Sequence, residues 1–84
     1  VPVTDQGNPA VTVRGRALNN LVFRSNATLT ADELGLIPQG TEFVIEARNR
    51  NGAWYLITYE GQPGWVNAAF VRLIEGRVAD LVIR

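Results

Sequence analysis

Few side chains in this sequence could perform catalysis. The chain of 84 residues contains no histidine and no cysteine, and its eight basic residues are all arginine. An imidazole base, a thiolate nucleophile and a lysine Schiff base are therefore excluded. Ser25 is the one serine and has no base to activate it. Asp32 and Glu33 are adjacent and are predicted to be solvated charges on a turn. The sequence predicts a protein that is not an enzyme.

Metals, cofactors and nucleic acids are not expected as ligands. The usual zinc ligands are missing, and the eight glycines are scattered singly, so no glycine-rich phosphate loop is present. Eight arginines balance eight acidic residues. A net charge of zero gives no long-range attraction to nucleic acid or to an anionic membrane surface. No apolar run approaches the roughly 20 residues that cross a bilayer, which argues against membrane insertion.

The aromatic side chains are the residues best suited to binding. Trp54 and Trp65 lie on two predicted strands that are joined by a turn at Glu60-Gly61. If Ile57 and Val66 face a core, strand alternation turns both indoles outward, and we expect them to form an adjacent, exposed shelf. The alternative is that both indoles cap the barrel as apolar lids, because a large aromatic ring is most often packed against its own fold.

Short apolar runs that alternate with turn signals dominate the chain from Val11 onward. This sequence pattern is typical of an all-β fold, and we predict a small, strongly bent β barrel of five to six short strands with one helical turn. Seven segments are candidates for these five or six strands, at 11–18, 21–24, 34–37, 41–48, 53–59, 62–66 and 71–74, and the helical turn is predicted at 67–70.

Local chemistry predicts several details of the strands. Asn51-Gly52 tolerates positive φ and is expected to form a tight hairpin turn. Pro63 lacks an amide donor and is expected at an edge or outside the ladder. Gly64 is expected where two strands cross closely. The strand 41–48 alternates, with Phe43, Ile45 and Ala47 on one face. The predicted core is Phe23, Leu34, Ile37, Phe43, Ile45, Ile57, Val66 and Val71.

Other polar side chains are predicted to have structural roles. Arg24 is expected to form an ion pair with a nearby carboxylate such as Glu42 or Glu46. Tyr55 and Tyr59 are expected to be half-buried strand residues.

Three segments in order resemble the bacterial SH3-like domain family. LVFRS at 21–25 is similar to the opening strand of the family, although Asn26 and Ala27 follow where the family commonly has glycine and proline. LGLIPQGTEFVI at 34–45 is similar to the glycine turn that enters the central strand. AWYLITYEGQPGWVNAAFV at 53–71 matches the most specific part, which contains a glycine turn, glycine-tryptophan-valine and a one-turn helix ending in an aromatic residue.

The resemblance implies a set of ligand-binding residues. In eukaryotic relatives of this fold, two aromatics, a proline and a tyrosine line a groove for proline-rich peptides. The matching positions here are Trp54, Trp65, Asn67 and Phe70, with asparagine in place of the proline and phenylalanine in place of the tyrosine. Because phenylalanine cannot donate a hydrogen bond to a ligand carbonyl, recognition of proline-rich peptides is not expected.

The family resemblance also implies a function and a localisation. We expect a non-catalytic binding module of a larger envelope or extracellular protein, which binds cell-wall material or a peptide through the aromatic shelf. The alternative is a structural module that binds only neighbouring domains of its parent protein. Exposed and clustered tryptophans favour the first interpretation, and buried tryptophans favour the second.

The domain organisation has three parts. Residues 1–10 contain two prolines and are expected to be a linker or an N-terminal arm, and residues 11–75 form the barrel. Residues 76–84, GRVADLVIR, are similar to GRALNNLVFR at 15–24. This tail is either the start of a second repeat or an additional edge strand of the same barrel. Because the chain begins at Val1 and has no methionine, it is expected to be a piece of a longer protein.

Overall fold

The structure, a computed structural model, describes residues 12–84. The arm predicted for residues 1–10 lies outside the described residues. Eight short strands follow one another, and two 3-10 turns are the helical elements of residues 12–84. The strands are β1 (Val13–Ala17), β2 (Leu21–Arg24), β3 (Glu33–Ile37), β4 (Glu42–Arg48), β5 (Trp54–Tyr59), β6 (Gln62–Asn67), β7 (Val71–Glu75) and β8 (Val82–Ile83), and the 3-10 turns are Ala68–Phe70 and Val78–Asp80.

All strands belong to one curved sheet with the order β3-β2-β6-β5-β4-β1-β7, in which β8 also pairs with β4. Every pairing is antiparallel except the short parallel one between β8 and β4. The all-β, SH3-like barrel is therefore confirmed, with eight strands where five or six were predicted. In the described part of the chain, no helix has the length and apolar character needed to cross a membrane.

Strand alternation builds the core as predicted for β4. Phe43, Ile45 and Ala47 are buried, while Glu42, Val44 and Glu46 are exposed. Tyr55 is buried more fully than predicted, and burial raises the pKa of its hydroxyl above the ordinary value, although nearby Arg48 opposes the shift. The core cluster comprises Val13, Ala17, Leu21, Phe23, Ile37, Phe43, Ile45, Tyr55, Ile57, Val66, Val71 and Leu81.

Leu34 was predicted in the core and is 38% exposed. The reason is its position on β3, which ends the strand order and has a neighbour only on the β2 side among the described strands. Only Ile37, at the end of β3, is buried. An edge strand receives cover from one side, so the apolar composition of LGLI did not distinguish its buried residue from the exposed ones.

Two local predictions fail for different reasons, one about a turn and one about the place of a strand in the sheet. Asn51-Gly52 is not a two-residue hairpin, because residues 49–53 all lie in the connection, and of this pair only Gly52 has positive φ. Pro63 pairs with Thr58 and belongs to β6, which is an interior strand. Proline is tolerated there because, among the described residues, β6 pairs with β2 at Trp65, two residues away, so no ladder bond to β2 needs an amide donor at Pro63. The Glu60-Gly61 turn is confirmed, with φ of 51° and 82°.

Residues 76–84 pack on this barrel. Leu81 is 6% exposed and belongs to the core cluster, and Val78 packs against it. The backbone of this tail also bonds to the barrel, because Val82 and Ile83 pair with β4 and the Arg84 amide donates to the Arg48 carbonyl at 2.9 Å. The tail thus supplies a strand to this barrel; that it also begins a second repeat stays a prediction.

Gly64 lies at a close crossing of β6 over β2, as predicted. A Cβ atom at this position would be 2.6 Å from two ring carbons of Phe23 and 2.9 Å from the Arg24 carbonyl oxygen. We expect Gly64→Ala to lower the free energy of unfolding by about 1–3 kcal/mol, because the backbone oxygen cannot rotate away. Gly35→Ala is the matched control, since nothing lies within 4 Å of its Cβ position. Equal unfolding midpoints in urea for the two variants would contradict the close crossing.

Candidate functional site

Trp54 lies on the outer face of the barrel but is covered. It pairs with Asn67 across the β5–β6 ladder, while its chain neighbour Tyr55 pairs with Val66 on the core side. The predicted outward register is therefore correct. Its predicted exposure is wrong, because only 8% of the residue is accessible, and Trp54 lies outside the core cluster. Neighbours on the outer face must provide its cover.

A groove of about 140 Å³ opens beside the indole of Trp54. Leu29 and Phe70 are the exposed apolar residues that border it, with 71% and 45% of their surface accessible. We call this feature the Trp54 groove; its lining residues are Asn20, Leu21, Val22, Arg24, Leu29, Trp54, Asn67 and Phe70.

Arg24 positions the loop that carries Leu29. Its Nη1 atom donates to the Ala31 carbonyl at 3.1 Å and lies 4.0 Å from a Glu33 carboxylate oxygen. The Ser25 amide closes the base of the loop by donating to the Asp32 carbonyl at 2.9 Å. The loop between β2 and β3 is thus fastened at its end, and Leu29 is presented at its tip beside the groove.

The ion pair predicted for Arg24 is present, but its partner is Glu33 and not Glu42 or Glu46, the predicted examples. Glu42 lies on the other side of the barrel and pairs instead with Arg14 and Arg16. The hydrogen bond from Arg16 lowers the pKa of the Glu42 carboxyl below its ordinary value. Glu46 accepts a hydrogen bond from the Thr58 hydroxyl. Glu33 lies opposite Arg24 in the β2–β3 ladder, and this cross-strand position brings the two charged groups together.

The side chain of Asn49 fixes the start of β5. Its Oδ1 atom accepts from the Trp54 backbone amide at 3.1 Å, and the Asn49 backbone amide donates to the Trp54 carbonyl at 3.0 Å. The Gly52 amide donates to the Asn49 carbonyl at 3.0 Å, which folds the connection 49–53 into a turn. The first two bonds fix the Trp54 backbone through both its amide and its carbonyl, and so fix the position of the indole beside the groove.

The other wall of the groove is the first 3-10 turn. Asn67 caps this turn, because its Oδ1 atom accepts from the Ala69 amide at 2.9 Å. The Phe70 carbonyl accepts from the Leu18 amide at 2.8 Å, which ties the end of the turn to β1. Asn67 therefore has a structural role as the cap of the turn that carries Phe70.

Trp65 is not part of the Trp54 groove. It pairs with Leu56 on β5 and with Arg24 on β2, is half-buried, and does not line the cavity. The predicted shelf of two adjacent, exposed indoles is thus replaced by a groove with one indole, one phenylalanine and one leucine. Leu29 was missed by the sequence analysis; its signal was its position as the only large apolar side chain in the polar loop SNATLTADE.

The polar groups of the groove favour hydrogen-bond donation. The Asn20 Oδ1 atom accepts from the Gln39 amide at 2.8 Å, and the Asn67 Oδ1 atom caps its own turn. Each side-chain oxygen therefore already accepts one hydrogen bond, and the NH₂ groups are donors that these residues can offer to a ligand. Residues 12–84 contain no cluster of acidic side chains that could hold a metal ion. The arrangement can bind an apolar group beside a carbonyl oxygen.

The sequence profile of the bacterial SH3 domain matches residues 19–72, a span that includes every residue lining the Trp54 groove. No curated protein and no solved structure matches the chain. The match covers well over half of the 84 residues and extends from the end of β1 into β7.

Proposed function

Because this chain belongs to the bacterial SH3 domain family, we propose that it is a non-catalytic peptide-binding module of an envelope or extracellular protein, with the Trp54 groove as its ligand site. The family consists of binding modules, which supports the general role. The observation that carries the specific proposal is the groove itself. It combines a covered indole with two exposed apolar side chains, Leu29 from the β2–β3 loop and Phe70 from the first 3-10 turn.

The size of the groove suits one apolar side chain. A cavity of about 150 Å³ lined by aliphatic and aromatic residues can hold a benzene molecule. The Trp54 groove, with about 140 Å³, can therefore accept a group of the size of a leucine or proline side chain. The Asn20 and Asn67 NH₂ groups at its border are suited to the carbonyl oxygens that flank such a side chain in a peptide.

The low exposure of Trp54 favours a peptide over a glycan. Stacking of a sugar ring needs an accessible aromatic face, and Trp54 has 8% of its surface accessible. Cell-wall material contains both glycan strands and stem peptides. We therefore expect that the stem peptides, and not the glycan strands, are the component that this module binds.

A sedimentation assay with insoluble peptidoglycan tests this proposal. Intact peptidoglycan and the same material stripped of its stem peptides are mixed with the protein, and the bound fraction is measured. We expect binding to the intact polymer and its loss after the peptides are removed. Equal binding to both materials would overturn the peptide assignment in favour of a glycan, and no binding to either would reject the wall as the ligand.

A structural role in the parent protein is the second candidate. The observation in its favour is that Trp54 is covered and Asn67 caps its own turn, so neither residue is free as the exposed shelf required. Here a neighbouring domain would cover Leu29 and Phe70. Comparing the amide chemical shifts around these residues in the isolated domain and in the parent protein separates the two roles, since a docked neighbour changes them without any added ligand.

A further inference from the structure

A second cavity lies between β3 and the β5–β6 turn and shares no lining residue with the Trp54 groove. Its volume is about 210 Å³. We call it the β3 cavity; it is lined by Phe23, Leu34, Gly35, Leu36, Tyr59, Glu60 and Gln62. Neither the proposed function nor the structural role of the fold makes use of this cavity.

The β3 cavity has a mixed lining of apolar and polar groups, and its one charged lining residue is acidic. Phe23 and Tyr59 pack edge to face with their ring centroids 6.1 Å apart. Glu60 is the single charged lining residue and forms no ion pair within residues 12–84, whereas nearby Glu33 lies beside Arg24. Aromatic rings and leucine side chains beside a carboxylate without an ion-pair partner are complementary to a long aliphatic side chain with a cation at its tip.

The backbone at Glu60 is unusual. With φ of 51°, it is the only residue other than glycine with positive φ in the described part of the chain. Glycine, asparagine or aspartate is the common choice at such a turn position, and a glutamate there costs stability. Residues that hold an unfavourable backbone conformation concentrate at functional sites. The strained residue here is the one that brings the charge to the cavity.

The strand β3, which lines this cavity, also has a free edge. β3 ends the strand order and, among the described strands, pairs only with β2. Leu34, Gly35 and Leu36 line the cavity as consecutive residues, so the β3 backbone forms one of its sides. An exposed strand edge offers its backbone amides and carbonyls to an extended peptide, and adjacent pockets then select its side chains.

We propose that an extended peptide runs along the free edge of β3 and inserts a lysine or arginine side chain into the β3 cavity, with the cation at the Glu60 carboxylate. The aliphatic part of the inserted side chain packs on Phe23, Tyr59 and Leu34. This site is independent of the Trp54 groove, so each site can be tested without the other.

Titration with two short peptides tests the β3 site. The first probe is an end-capped pentapeptide of alternating threonine and valine with a central lysine, and the second has norleucine in place of the lysine. Binding is followed by the amide chemical shifts of Gly35 and Gly61 in the isotope-labelled protein. We expect the lysine peptide to bind about three- to fivefold more tightly, as a partly exposed ion pair provides, and the preference to weaken in high salt.

Three variants distinguish a specific site from weak general attraction. Glu60→Gln should abolish the lysine preference, and Glu75→Gln, which removes an exposed carboxylate on β7, should preserve it. Glu60→Gly should also abolish it while keeping or raising the Tm, because glycine relieves the positive φ. A lysine preference that survives Glu60→Gln, shift changes at Trp54 and Phe70 in place of Gly35, or no shift changes at millimolar peptide would each overturn the proposal.

Discussion

Removal of residues 76–84 is expected to lower the Tm of the domain by roughly 10 °C or more. The deletion takes away Leu81, which is 6% exposed in the core, together with Val78 and the pairing of β8 with β4. Loss of a buried leucine alone costs about 2–5 kcal/mol, and each kcal/mol shifts the Tm of a domain of this size by roughly 4–8 °C. The truncated chain also exposes a strand edge on β4 and should self-associate more readily.

Two point variants show whether the tail acts through its core contact. Leu81→Ala should reproduce most of the loss in Tm, while Ile83→Ser, at a site that is 53% exposed, should change it little. Thermal unfolding followed by circular dichroism measures all three proteins. A truncated chain that melts within about 2 °C of the full chain would show that the tail does not stabilise this barrel and would favour its role as the start of a second repeat.

Ile45→Ala is expected to cost about 2–5 kcal/mol of the free energy of unfolding. Ile45 is 3% exposed at the centre of β4, where it pairs with Val13 on one side and Ile57 on the other. A domain of 84 residues has roughly 4–13 kcal/mol in total, so the variant loses a large share of its stability.

Val44→Ala is the matched control for this core variant. It removes a branched aliphatic side chain from the neighbouring residue of the same strand, but Val44 is 49% exposed. Urea denaturation of both variants measures the difference directly. A loss below about 1 kcal/mol for Ile45→Ala, or equal losses for the two variants, would mean that the buried face of β4 has been assigned incorrectly.

The sequence was sufficient where local chemistry decides the structure. Alternation identified the buried face of β4, and Gly61 marked the turn after β5, where it takes positive φ. Gly64 marked the close crossing with β2, since only the absence of a side chain permits it. In each case the deciding interaction involves residues adjacent in sequence, or a steric exclusion that a single residue type reports.

Prediction failed where a distant segment decides the environment. The outer register of Trp54 followed from alternation, but the groove beside it depends on Leu29 and Phe70, which lie 25 and 16 positions away in the sequence. Leu34 is exposed because β3 is a terminal strand of the sheet, which is a property of the whole topology. The connection 49–53 is longer than a tight hairpin because the Asn49 side chain binds the Trp54 backbone. None of these three features can be deduced from a local sequence pattern.

The Phe70→Ala variant tests the Trp54 groove as the ligand site most directly, when peptidoglycan binding and Tm are measured on the same preparation. Phe70 is 45% exposed, so its truncation should cost less than about 1 kcal/mol of stability. The proposed site predicts at least a tenfold loss of binding with little change in Tm, while Val44→Ala, at a similarly exposed position outside the groove, binds as the parent does. Undiminished binding by a folded Phe70→Ala protein would contradict the assignment of the groove as the binding site.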